Sequence, residues 1–128
     1  MSVQRNVAEQ NAETLSEIRH AGGLMAEGAI QWLPNILRSH NIEPSLGVLV
    51  RVASVTEQEG ESYGCVWLTS SGQFWKIDAM ISRENGEVIE LESVDDISAD
   101  IVVSSHLRGT GKSFGFLAHQ VLREVLGG

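Results

Sequence analysis

Between Leu46 and Leu91 the apolar residues recur at a spacing of two, and this alternation constrains the fold more than any other feature of the chain. Successive side chains of an extended strand point to opposite faces, so a period of two marks strands with two distinct sides. Leu46, Val48, Val50 and Val52 alternate with Gly47, Leu49, Arg51 and Ala53, giving a first strand rich in β-branched residues. Tyr63–Thr69, Phe74–Ser82 and Val88–Glu92 read as a second, third and fourth strand. The turns between them are EQEGES at Glu57–Ser62, Ser70–Gly72, and Asn85–Gly86, whose residues both accept positive φ cheaply. Short turns in succession imply an antiparallel meander. Asp100–Ser105 (DIVVSS) reads as a fifth strand.

Helical spacing flanks this zone. Val7, Leu15 and Ile18 form a thin stripe within 3–19, which reads as a peripheral helix over the first 20 residues. Gly22 and Gly23 punctuate the chain, and Leu24, Met25, Ala29, Trp32, Leu33, Ile36 and Leu37 then recur at spacings of three and four. Pro34 is expected to kink that helix or end its first half near Leu33, because proline donates no backbone N–H. From about Thr110 to Leu126, Phe114, Leu117, Ala118, Val121, Leu122 and Val125 define one apolar face. At 128 residues the chain fits one domain, spanning 1–128, and such a length buries roughly two-thirds of the unfolded chain's surface.

The expected fold is α+β: N-terminal helices, an antiparallel meander sheet of four to five strands, and a C-terminal helix packed on one face. Val66, Leu68, Trp75, Ile77, Ala79, Ile81, Ile89 and Leu91 form an apolar set expected to meet the helices. The remaining face is mixed, with Arg51, Tyr63, Cys65, Trp67, Phe74, Lys76, Asp78, Glu90 and Glu92.

Seventeen acidic residues against 9 basic ones give a formal charge of −8. That balance argues against nucleic acid, where phosphate contact needs a cationic face, and is compatible with a basic protein partner or simply with solubility. The single cysteine, Cys65, can form no internal disulfide, and a free thiol suits a reducing cytoplasm. The N-terminal segment has no apolar run resembling a signal peptide, and no stretch of the chain is apolar enough to span a bilayer. A cytoplasmic location without membrane contact is therefore expected.

The segment HLRGTGKS invites comparison with the phosphate loop G-x-x-x-x-G-K-[ST]. Gly111, Lys112 and Ser113 match, but His106 stands where the first glycine belongs, and a phosphate loop belongs in a parallel βαβ unit. A weaker reading is an anion site at Gly109, Thr110, Gly111, Lys112 and Ser113, from a backbone nest, a helix N-terminus and one ammonium. The competing reading is a tight turn with Thr110 or Ser113 as helix cap. His20, His40, His106 and His119 show no metal-ligand spacing, and no serine sits in a G-x-S-x-G elbow. Cys65 lies mid-strand as a packed thiol. No catalytic residue, metal site or cofactor is assigned.

Aromatics beside charges have the composition of a protein-binding patch. Arg51, Tyr63, Trp67, Phe74, Lys76, Asp78 and Glu90 are accordingly the candidate partner-binding residues. The expected function is that of a small acidic binding domain that neutralises or escorts a basic partner, comparable in size and charge to bacterial immunity proteins and secretion chaperones. The alternative is a small-ligand or anion-binding domain, including an enzyme, that uses a sheet pocket or the glycine loop. A free sheet edge would also let two copies pair as a homodimer.

Overall fold

The structure is a computed structural model that describes residues 7–101 and 114–127. Helix α1 (Val7–Ala26) is followed by turns, helix α2 (Leu33–Ser39) and a 3-10 turn at Pro44–Leu46. Strands β1 (Gly47–Thr56), β2 (Glu61–Thr69), β3 (Phe74–Ile81) and β4 (Val88–Asp96) follow, then one helical turn over 98–101 and helix α3 (Phe114–Gly127). The four strands form one antiparallel sheet in the order β1-β2-β3-β4, the meander that alternation and short turns imply.

The helical boundaries differ from the sequence reading at two points. Pro34 does not break a helix; it lies in the first turn of α2, where its missing N–H has no intrahelical acceptor to lose. Gly22 and Gly23 lie inside α1 rather than ending it. Gly22 faces β1, where an added Cβ would stand 3.8 Å from the Leu49 carbonyl oxygen and from Val48 Cγ2. The expected fifth strand is also corrected: Asp100 and Ile101 are helical, with the Ile101 N–H bonded to the Ile97 carbonyl at 3.0 Å. Residues 102–105 lie outside the described residues.

Register decides which side chains share a face. Trp67 stands opposite Trp75, Cys65 opposite Ile77, and Tyr63 opposite Ala79. Leu68 meets Phe74, Val66 meets Lys76, and Gly64 meets Asp78. Leu49, Cys65, Trp67, Ile77, Ala79 and Ile81 therefore form one apolar layer, closed by Ile30, Trp32, Leu33, Ile36 and Leu37 from α2 and the chain leading into it. Val48, Val50, Val66, Leu68 and Phe74 form a second layer on the opposite side, closed by Ile18 of α1 and by Leu117, Ala118, Val121 and Leu122 of α3. The C-terminal helix thus covers one face, as its apolar stripe implies, while α2 covers the other.

Helix α1 serves both layers. Leu15 and Ile18 pack into the α3 side, Ala21, Leu24 and Met25 into the α2 side. It therefore passes over the outer flank of β1, with Gly22 facing that strand. An exposed ion pair, Arg19 to Glu124 at 3.0 Å, links α1 to α3. Strand β4 is the other margin, with no described strand paired beyond it. No described helix is long and apolar enough to cross a membrane.

Candidate functional site

The register separates the residues expected to act together. Tyr63 and Trp67 point to the α2 side of the sheet, whereas Arg51, Phe74, Lys76, Asp78 and Glu90 belong to the other side. Trp67 is only 2% exposed and Phe74 only 3%, so neither offers an anchor to a partner. Phe74 instead packs edge-on to His119 of α3, with ring centres 5.4 Å apart. Tyr63 is half-buried in edge contact with Trp32 at 5.6 Å. Because the sheet stands between Trp67 and the other three, Trp67, Arg51, Lys76 and Asp78 do not converge on one concavity. The Gly109–Ser113 loop lies outside the described residues.

Beyond the reach of α3, the open side of β3 carries a small polar network. Lys76 Nζ donates to Asp78 Oδ2 at 2.6 Å and to Oδ1 at 2.8 Å, and Ser93 Oγ donates to Oδ2 at 2.8 Å. Gly64 lies directly opposite, where a Cβ would come within 3.2 Å of Asp78 Oδ1. Burial pushes the Asp78 carboxyl upward, but the hydrogen bonds from Lys76 and Ser93 and the Lys76 charge outweigh it, so its pKa falls below the usual 3.8. Cys65, buried within the sheet, is pushed up to about 12 by desolvation and then by the Asp78 charge. Such a thiol stays protonated at neutral pH and is no nucleophile.

Arg83, at the start of the β3–β4 connection, is committed as well. Its Nη1 donates to the carbonyls of Glu57 and Gly60, its Nη2 donates to the Gln58 carbonyl at 3.0 Å, and Glu61 lies 3.8 Å away. It therefore pins the β1–β2 turn against the β3–β4 connection.

The outer strand differs from everything around it. Val88 is 38% exposed, Ile89 52% and Leu91 40%. The sequence pattern assigns Ile89 and Leu91 to the helix-covered set, but both stay exposed, with Ile89 beside Gly60 of the β1–β2 turn; alternation identifies a face without saying how far a helix extends over it. Residues 84–101 hold seven carboxylates (Glu84, Glu87, Glu90, Glu92, Asp95, Asp96, Asp100) and no lysine or arginine. Among the described residues, Lys76, which stands opposite Asp95, and Arg83 are bonded elsewhere. Asp96 accepts a hydrogen bond from the Ser98 N–H at 2.9 Å, which with the Ser98 side chain lowers its pKa.

Beside the start of β4, two adjoining recesses of about 390 and 460 Å³ share Gln31, Trp32 and Gly86. Tyr63, Ile81 and Arg83 line the first, and Asn35, Asn85 and Val88 line the second. A third recess of about 260 Å³ lies at the opposite end, between His40, Glu43, Thr69, Gln73 and Trp75. All are open surface depressions. Among the described residues no three His, Cys, Asp or Glu side chains are grouped as a metal site. No protein-family model matches the chain, and no curated protein or solved structure was found similar to it.

Sequence reasoning missed the recess residues Gln31, Trp32 and Asn35, because the helical pattern there gives no hint that the β3–β4 connection lies alongside. It also missed the apolar members of β4. One signal for these was present: Val88, Ile89 and Leu91 are interleaved with carboxylates, a poor composition for a strand covered on both faces.

Proposed function

We propose that the chain is a protein-interaction domain whose docking surface is the outer strand β4 with its adjoining turn, and whose partner presents a basic surface. One observation carries this reading: a nine-residue marginal strand whose exposed Val88, Ile89 and Leu91 lie among carboxylates that form no ion pair among the described residues. Contiguous exposed apolar patches rimmed by polar residues are a mark of interaction sites. Charge of one sign steers a partner of the other and rejects like-charged competitors. The partner surface thus moves from the mixed sheet face expected from sequence to the sheet margin. Neutralising or escorting that partner, in the cytoplasm, is the role that fits a domain of this size and charge. The recesses near Trp32 favour a second, lesser reading, a small polar ligand held beside an aromatic pair.

Capture from native lysate tests the primary reading, using wild-type bait beside a Glu90→Lys/Glu92→Lys variant whose fold is verified by circular dichroism. The expected result is a dominant basic partner on the wild type, absent from the variant and released by salt. A partner retained equally by both baits removes β4 from consideration.

A further inference from the structure

We infer that the partner binds by strand addition, laying an extended segment with alternating cationic and apolar residues along the outer edge of β4. This rests on the protein-binding reading and specifies what the partner must supply. The marginal strand of a sheet presents a row of backbone N–H and C=O groups to which another extended chain can hydrogen-bond. The two margins of this sheet are not equivalent. Helix α1 crosses β1, sending Ile18 to one side and Ala21 to the other, whereas no described strand pairs with the outer edge of β4, where Val88, Ile89 and Leu91 are exposed.

Register specifies the side-chain pattern of the added segment. Val88 stands opposite Ile81, Leu91 opposite Ala79 and Val94 opposite Ile77, so these three extend the apolar α2 side of the sheet. Glu90 stands opposite Met80, Ser93 opposite Asp78 and Asp95 opposite Lys76, and these extend the polar side. A strand added beside β4 would therefore place apolar residues next to Val88, Leu91 and Val94, and lysine or arginine next to Glu90 and Asp95. Ile89 and Glu92 fall at the two register shifts between β3 and β4. Such bulges sharpen the twist of a margin and limit the length of segment that can pair.

Charge selects among occupants. A second copy pairing through its own β4 would bring Glu90, Glu92, Asp95 and Asp96 of each chain together with no lysine or arginine between them. Like charges facing across strands are unfavourable, so the same carboxylates that attract a cationic strand oppose self-association.

The test is an amide NMR titration of the full-length ¹⁵N-labelled protein with three short synthetic peptides. One alternates lysine and valine, one carries the same charge at helical spacing, and one alternates glutamate and valine. Strand addition expects the lysine–valine peptide alone to shift amides of residues 88–96, with affinity falling as salt rises. It also expects about tenfold or greater weakening by Glu90→Lys/Glu92→Lys. Preference for the helical peptide, or shifts confined to other elements, overturns strand addition. If neither cationic peptide binds while charge reversal still removes the captured partner, strand addition fails and the protein-binding reading stands. If capture is also insensitive to charge reversal, the reading itself fails.

Discussion

Lys76 and Asp78 project from the same side of β3 and close on each other, Nζ lying 2.6 Å from one carboxylate oxygen and 2.8 Å from the other. The ammonium that stands opposite Asp95 of the outer strand is thereby satisfied within its own strand. The carboxylates of β4 keep their negative field as a result, and the open side of the sheet is a local ion pair beside an acidic margin.

Replacing Asp78 tests this pairing. Burial raises its pKa, but the hydrogen bonds from Lys76 and Ser93 and the Lys76 charge lower it by more, so the net shift is downward from 3.8. A depressed carboxyl contributes stability that is present above the unfolded pKa and is lost as pH falls through the folded one. Asp78→Asn is expected to cost up to about 1 kcal/mol at neutral pH, the range for an ion pair whose ammonium stays half-exposed to water. Urea denaturation should also show the variant losing less stability than wild type on acidification below about pH 4. Parallel acid profiles for the two proteins would show that the pair contributes nothing.

The meander and the C-terminal helix were legible in the sequence because both rest on local periodicity. The pairing of faces was not. Alternation shows that Val66 and Leu68 share a side, and that Trp75 and Ile77 do, but only register says whether those sides coincide. Trp67 pairs with Trp75, so Val66 and Leu68 belong with Phe74 instead. A one-residue offset exchanges the two faces of a strand, which is why a mixed patch of Tyr63, Trp67 and Asp78 could be drawn from sequence though the sheet divides it. Helix α1 was obscured for a related reason. A helix crossing a sheet margin buries a narrow, rotating stripe, and Ile18 and Ala21 enter different cores.

Trp67 is a core residue rather than a contact residue. Trp67→Ala is expected to destabilise the fold by about 3–5 kcal/mol, the usual cost of emptying a large aromatic site. Chemical denaturation measures this directly. A loss under about 1 kcal/mol would contradict its place beneath α2.

Gly86 occupies the left-handed region at φ +70° in the β3–β4 connection, with its N–H bonded to the Ser82 carbonyl at 2.9 Å. Asn85 does not share that conformation; its Oδ1 accepts from the Glu87 N–H at 3.0 Å. Gly86→Ala is therefore expected to cost roughly 1–2 kcal/mol, and Gly86→Asn less, because asparagine tolerates this region better. A thermal melt in which both variants match wild type would show that this turn does not hold the connection.

Cys65 gives a probe of global opening. Buried and raised to about 12, its thiol is expected to resist a disulfide reagent at mildly alkaline pH and to react fully in denaturant. Labelling kinetics should track unfolding in each destabilised variant. Rapid reaction of the native protein would contradict the close packing of β2 beneath the helices.

The most direct measurement of the central claim is amide hydrogen exchange on the protein with and without its captured partner. The account expects residues 88–96 to become protected on binding while Phe114–Gly127 stays unchanged. Unaltered exchange across 88–96, with protection arising elsewhere, would contradict it.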